Sequence, residues 1–269
     1  MAQAASRGMP SMVWRAGQDR RMAMIASAID LLSACVLDIG CGLGAYSERM
    51  TQAGAVAIGT EIELARAAGA LERGIPVACA VAEALPFADC SFDAVLSHEV
   101  LEHVADDRLA AQEMARVLRA GGRAVVFVPN RWWPFETHGV RWRGDYRFGN
   151  FPLVNYLPDV LRNRLAPHVR VYTGASLRQL FDGLPVGITV STQIFPGFDK
   201  LLLRRPLFGQ LARRALYALE GTPARRLGLS HLMVVERTGA PAAGSSGEQA
   251  ALGLAGQAEE EREASGSSG

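Results

Sequence analysis

The stretch Val36-Leu37-Asp38-Ile39-Gly40-Cys41-Gly42-Leu43-Gly44 decides how the rest of this chain is read. A short apolar run beginning at Cys35 ends in three glycines at alternate positions, and the polar-apolar pattern of residues 45–52 follows at once. Such a run suits a strand buried on both faces. Glycines after it let the backbone turn tightly and come close to a ligand. Glu61 closes the next apolar run, 21 residues after Gly40. A carboxylate there can accept hydrogen bonds from both hydroxyls of a ribose. Together these features point to a nucleoside-containing cofactor. Gly40-x-Gly42-x-x-Ala45 also fits the relaxed dinucleotide fingerprint, so the loop alone leaves NAD(P) and other nucleoside cofactors open.

Working outward, apolar residues at helical spacing (Met22, Ile25, Ile29, Leu32) predict an opening helix over 19–33. Strands are expected at 55–60, 76–81, 92–97 and 123–128, the last closed by Pro129. Helices are expected at 45–52, 62–72 and 106–119, with Gly121-Gly122 stopping the third. Strand and helix alternate, which implies a doubly wound, mostly parallel α/β sheet covered on both faces. Ligands of such sheets bind at the carboxyl ends of the strands, so the loops after Ile39, Thr60, Val81 and Ser97 carry the interest.

Val36 to Gly44 resembles motif I of the class I S-adenosylmethionine-dependent methyltransferases. Further segments are similar to the same family, in order: Ala82-Glu83-Ala84-Leu85-Pro86-Phe87, then Ser91-Phe92-Asp93-Ala94-Val95 through Leu101-Glu102-His103-Val104, then Glu113 to Gly122. The nearest subgroup is the methyltransferase type 11 group, which includes the ubiquinone and menaquinone C-methyltransferases. The similarity covers roughly residues 20–130. It implies a seven-stranded Rossmann-like sheet and S-adenosylmethionine as cofactor. It also implies site residues. Asp38 would orient the cofactor's amino group, directly or through water. Gly40, Cys41, Gly42 and Gly44 would line the methionine moiety and ribose with backbone. Glu61 would hold the ribose, Ile62 would lie against the adenine, and Ala82 and Glu83 would sit at the adenine edge. Members commonly carry an Asp just before Ala82, and this chain has Val81. Either Glu83 or a backbone carbonyl takes that role, or cofactor affinity is weakened.

Methyl transfer from a sulfonium is an in-line displacement with an activated leaving group, so the protein mainly positions the acceptor and excludes water. A general base is needed only where the acceptor first loses a proton. His138, in Glu136-Thr137-His138-Gly139 after strand five, is the candidate base, against the alternative of a structural histidine. His98 is expected to line the cofactor cleft. His98 and His103 are spaced i,i+5, about 140° apart on a helix, which argues against a zinc-protease pair and predicts no metal.

Residues 130–174 break the alternation, and eight of the chain's 19 aromatic residues fall between Trp132 and Tyr156. That density predicts a lid or acceptor insertion, with Trp132 and Trp133 near the pocket mouth. After Pro206, Leu207, Phe208, Leu211, Ala215, Ala218 and Leu219 share a helical face amid Lys200, Arg204, Arg205, Arg213, Arg214, Arg225 and Arg226. This 198–228 segment reads either as an interfacial helix on anionic lipid or as a helix packed on the domain with solvated charges. Residues 1–130 carry 11 basic and 15 acidic side chains, whereas 131–237 carry 16 basic and 7 acidic. The basic half favours an anionic or interfacial partner, but no recognised RNA module accompanies it.

Composition is that of a globular protein: 269 residues, 49% hydrophobic and 20% charged. No run of about 18 apolar residues predicts a membrane span, and residues 1–21 show no apolar signal core. Cys35, Cys41, Cys79 and Cys90 form no C-x-x-C pair and read as buried thiols of a reducing, cytoplasmic compartment, with peripheral contact at the inner membrane face open. The domain is expected over 19–237, after an extension at 1–18 and before an Ala/Gly/Ser/Glu tail at 239–269 that reads as disordered. The expected function is methyl transfer to a small or lipophilic acceptor. A non-catalytic cofactor-binding module and an NAD(P)-dependent oxidoreductase are the alternatives.

Overall fold

The computed structural model describes residues 16–197 and 205–239. The chain runs α1 (Ala16–Ala28), β1 (Cys35–Ile39), α2 (Ala45–Gln52), β2 (Val56–Glu61), α3 (Leu64–Glu72), β3 (Val77–Cys79), β4 (Phe92–His98), α4 (Asp107–Val117) and β5 (Leu118–Pro129). Four short strands follow: β6 (Phe135–Glu136), β7 (Val140–Trp142), β8 (Asp145–Arg147) and β9 (Phe151–Pro152). Then come α5 (Asp159–Leu165), α6 (Gly174–Gln179), β10 (Val186–Ile194), α7 (Pro206–Leu219) and β11 (Ser230–Arg237).

Seven of these strands form one sheet in the order β10-β11-β5-β4-β1-β2-β3. β1 pairs in parallel with β2 and β4, β2 with β3, and β4 with β5. β11 is antiparallel to both β5 and β10. The mostly parallel, doubly wound sheet expected from the sequence is therefore present. Its antiparallel wedge separates it from the all-parallel 3-2-1-4-5-6 arrangement of dinucleotide-binding sheets.

Alternation along each strand feeds two cores. Val36, Ala94, Leu96, Val125, Phe127 and Val234 face α1 and α2, where Ile25, Tyr46 and Met50 meet them. Leu37, Ile39, Val95, Ala124, Val126 and Met233 face the opposite side, against Ala110, Ala111 and Met114 of α4 and Leu177 of α6. Burying each of the larger side chains is worth about 1.5–3 kcal/mol, so the two apolar layers hold the carboxyl ends of the strands at fixed heights.

Several boundaries differ from the sequence expectation. The opening helix stops at Ala28 because the Asp30 carboxylate accepts the Leu32 N–H and turns the chain. α4 ends at Val117, and Gly121-Gly122 lies inside β5. A Cβ on Gly122 would sit 2.9 Å from the carbonyl oxygens of Arg119 and Asp93, so glycine is what lets the strand register slip there. The cysteines are less buried than expected: Cys79 is exposed and the other three are half-buried. No helix among the described residues is long and apolar enough to cross a membrane. The expected tail beyond residue 239, most of the extension at 1–18, and Lys200 and Arg204 lie outside the described residues.

Candidate active site

A cleft of about 950 Å³ opens over the carboxyl ends of β1 to β4. That falls within the roughly 300–1,000 Å³ of small-molecule sites. Gly40, Glu61, Ile62, Ala82, Glu83 and His138 line it, all six from the expected set. The turn that floors it has Gly40, Gly42 and Gly44 in the left-handed region, at φ of 65°, 59° and 77°. A Cβ on Gly40 would lie 2.6 Å from Val100 Cγ2, so a side chain there would collide with the cleft wall. Glu61, almost fully buried, ties this turn to β2. Its Oε2 accepts the Gly42 N–H at 3.0 Å, and its Oε1 accepts the Glu63 N–H at 3.0 Å. Each oxygen keeps lone-pair capacity for a second donor, as a ribose diol requires. Thr60 lines the same wall, and its buried hydroxyl has no partner among the described residues. Ile62 is 68% exposed, an apolar platform open to the cleft.

Other expected residues are placed beneath the turn, tied to neighbouring loops or turned away from the cleft. Asp38 is buried beneath the turn, where Ser47 Oγ donates to its Oδ2 at 2.6 Å. Burial pushes its carboxyl up to about 7, despite the Ser47 hydrogen bonds. Cys41 packs its sulfur against Gly59 and donates its N–H to Thr60 O. Gly44 abuts Ala70 and Ile75 at the start of α2. Glu83 lines the cleft, but its Oε1 accepts the N–H groups of Ala105 and Asp106 at 2.6 and 3.2 Å and so fastens the loop before α4. His98, expected in the cleft, is not among its lining residues. It falls on the α1 face of β4, against Arg21, Tyr46 and Phe127, because strand alternation gives it the side of Leu96. Burial and the Arg21 charge hold His98 down to about 3, a neutral structural imidazole.

The other end of the cleft is built from the 130–174 segment, expected from the sequence as a lid or acceptor insertion. β6 pairs with β9 and β7 with β8 over the cleft mouth. Beneath them, Arg162 is 1% exposed and donates to Glu136 Oε2 at 2.8 Å and to Val169 O at 2.7 Å. The other Glu136 oxygen, Oε1, accepts from His138 twice, from its N–H at 2.8 Å and its Nδ1 at 3.2 Å. Burial alone would raise Glu136, but the His138 hydrogen bonds and the Arg162 charge outweigh it and keep the carboxylate ionised. The His138 ring is thereby fixed, and its Nε2 faces Glu99 Oε2 at 3.9 Å. His138, Glu99 and Thr137 also line a second, smaller cavity of about 160 Å³ walled by Trp133 and Phe135. Trp132 instead lies 49% exposed against Tyr156.

Glu99, which sequence reasoning missed, has φ of 58° in the left-handed region, a conformation costing about 1–2 kcal/mol for a side-chain-bearing residue. It is held there by Arg21 at 3.1 Å and Ser230 at 3.2 Å. Burial would raise its carboxyl, but Arg21 reverses the sign and holds it at about 2. Glu102 beside it is pushed well above the usual carboxylate range by burial and by the Glu99 charge. Only the local repeat of acids after β4 hinted at this pair.

A family profile described as a methyltransferase domain matches residues 37–126. Those 90 residues, a third of the chain, are similar to a methyltransferase domain. The chain is 38% identical over 149 residues to a ubiquinone biosynthesis O-methyltransferase of Chelativorans sp. (strain BNC1), an alignment spanning 49% of this chain and 56% of that one. It is 35% identical over 91 residues to a demethylmenaquinone methyltransferase of Corynebacterium urealyticum, spanning 34% of this chain and 40% of that one. The chain thus spans about half the length of the relatives it matches. The fold is shared with a crystal structure of an S-adenosylmethionine-dependent methyltransferase from Mesorhizobium loti, at TM-score 0.57 and 18% identity, over 80% of this chain and 96% of that one. The residues that the profile matches stop before His138.

Asp38 makes stability depend on pH. Its carboxyl titrates at about 7 folded and at about 3.9 unfolded. The folded state therefore holds an extra proton between these values, and stability falls as pH rises from about 4 to about 7. Urea denaturation of the cofactor-free protein across that range is expected to show the decline, and Asp38→Asn to flatten it. An unchanged slope in the variant would assign the decline to another group.

Proposed function

We propose that this chain is an S-adenosylmethionine-dependent methyltransferase whose acceptor is a small, flat or lipophilic molecule. The observation that carries this reading is the continuity of one cleft. At one end stand the left-handed glycine turn, the two-oxygen acceptor Glu61, the unpartnered Thr60 hydroxyl and the apolar Ile62. At the other end stand His138 and the aromatic residues Tyr146 and Phe148. The first set fits the ribose, adenine and methionine of S-adenosylmethionine, which supplies an activated methyl group when bound. Asp38, beneath the turn, is placed for a water-mediated role toward the cofactor's amino group. Gly42, Cys41 and Gly44 shape the turn, and Ala82 with the Val81 backbone borders the adenine edge.

His138 is the catalytic residue of this reading. Glu136 and Arg162 hold its ring, so Nε2 meets the reacting end of the acceptor without reorienting. A second, non-catalytic reading as a cofactor-binding module has no such use for a fixed histidine between two cavities. The two relatives described above are named for ubiquinone biosynthesis and for demethylmenaquinone, which recommends quinone-like phenols as first acceptors. The adjoining cavity walled by Trp133 and Phe135 would accept an apolar substituent of such a molecule.

The proposal also extends to where the protein works. Tyr217 and Glu220 dock the end of α7 on Arg20 of α1, while Leu207, Phe208 and Leu211 at its start are 84%, 60% and 67% exposed. Arg213, Arg214, Arg225 and Arg226 flank this apolar face. A helix of this kind suits peripheral contact with an anionic lipid surface.

Three measurements check these statements. Calorimetric titration with S-adenosylhomocysteine is expected to show one site per chain, with no heat from NAD(H) or NADP(H). Glu61→Ala is expected to weaken that binding by about 1–3 kcal/mol, the cost of removing a partner from buried polar groups; full affinity in the variant would displace Glu61 from the site. His138→Ala is expected to lower turnover of a quinone-like acceptor on the order of 10²-fold or more while leaving homocysteine-product affinity intact, and an unchanged rate removes its catalytic role. Sedimentation with anionic phospholipid vesicles is expected to carry the protein down in a salt-sensitive way, and the Leu207→Glu/Leu211→Glu variant is expected to stay in solution. Equal pelleting of both proteins would refute the membrane contact.

A further inference from the structure

Thr60 carries a buried hydroxyl that the fold leaves without a partner. It stands near the end of β2, is 1% exposed, and its Oγ1 has no hydrogen-bond partner among the described residues. A polar group buried in that state is costly. Strand alternation gives Thr60 the same side of the sheet as Ile58, which packs on the core against α4. The register sets it between Ile39 of β1 and Ala78 of β3. It is also one of the residues that line the large cleft.

The surroundings are apolar. From the segments after β2, β3 and β4, Ile62, Val81, Ala82, Val100 and Val104 line the same cleft. Such walls suit a flat ring that needs apolar cover on its faces and a few placed polar groups at its edge. The charged groups on the β2 and β3 side are already committed. Both Glu61 oxygens accept backbone N–H groups and keep their remaining capacity for ribose hydroxyls. Glu63 pairs with Arg66 at 2.9 Å. Glu83 Oε1 fastens the loop before α4. Val81 has no polar side-chain atom. On that side of the cleft, Thr60 is the buried polar side chain left unsatisfied among the described residues.

We propose that the Thr60 hydroxyl accepts a hydrogen bond from the exocyclic amino group of the cofactor's adenine, a service that the side chain of Val81 cannot perform. This rests on the S-adenosylmethionine reading above and adds to it the means by which this chain selects the base. A threonine moves its hydroxyl between staggered positions by one step about Cα–Cβ, so a side chain closed against the wall can present its oxygen to a ring laid over it. The hydroxyl is neutral and needs no counter-charge among apolar neighbours, where a carboxylate would. A neutral acceptor also forms a weaker bond than an ionised one. Selection of the amino group by Thr60 is therefore modest, and most of the affinity comes from the ribose acid and the apolar walls.

The test is calorimetric titration of the full chain with S-adenosylhomocysteine. Adenosine and purine riboside, which lacks the exocyclic amino group, are measured by competition against it. The unaltered protein is expected to favour adenosine over purine riboside on the order of 10-fold. Thr60→Val is expected to weaken S-adenosylhomocysteine and adenosine by that factor and to leave purine riboside unchanged, so that the preference vanishes. Thr60→Ser keeps the hydroxyl and is expected to restore it. Without ligand, Thr60→Val is expected to unfold at the same or a higher urea concentration, because it removes an unpaired hydroxyl and not a bond. Ser97 is the control. It pairs with Ile39 from the other side of β1 and is fully buried and equally unpartnered, but it is not among the residues lining the cleft. Ser97→Ala is therefore expected to leave all three affinities unchanged. A folded Thr60→Val protein that keeps the adenosine preference, or that loses all three ligands equally, overturns the role of Thr60 and leaves the cofactor assignment standing. Equal binding of adenosine and purine riboside by the unaltered protein overturns that role without any variant. An unaltered protein that binds neither S-adenosylhomocysteine nor adenosine overturns both readings.

Discussion

The turn from β1 into α2 is the constraint on which the rest of this molecule depends. Three residues within five adopt left-handed backbone, and only glycine does so without steric cost. The turn carries the chain across the carboxyl edge of a sheet whose central strands β1, β4 and β5 are largely buried on both faces. It leaves its own N–H groups facing the edge, where the Glu61 carboxylate accepts one of them. Two strands and one helix start are thus locked by a single acid. A cofactor that uses Glu61 would join a structure already assembled, which limits the ordering that binding must supply.

The opposite end of the cleft is organised by a second buried charge, Arg162 against Glu136. Buried ion pairs contribute little net stability, because desolvation offsets their attraction, but breaking one is destabilising. Here the pair serves position. Glu136 has one oxygen for the arginine and the other for His138, and Arg162 also takes carbonyls and amides from the segment around it. The short strands β6 to β9 are too small to be stable on their own. This polar network gives them a fixed seat over the cleft.

The two ends have separate origins in the chain. Residues matching the methyltransferase profile end at 126 and build the glycine-turn end of the cleft. The segment after β5 builds the other end together with Glu99 and His103 from the turn after β4. Arg21 of α1 bridges the two by holding Glu99 in its unfavourable backbone geometry. A first helix that reads as mere packing in one dimension is therefore part of the site wall.

The sequence by itself determined the sheet, its glycine turn and the acid after β2, because each rests on local signals: apolar runs of strand length, glycines where φ must be positive, and a carboxylate at a set distance along the chain. It also located the aromatic insertion by density alone. It misread His98, because which face of β4 a residue takes depends on the register against β1 and β5. It could not see that Glu83 fastens a loop, that Asp38 lies under the turn, or that Arg162 sits behind Glu136 across 26 residues. Those arrangements are contacts between distant segments, and only tertiary packing decides which buried polar groups find each other.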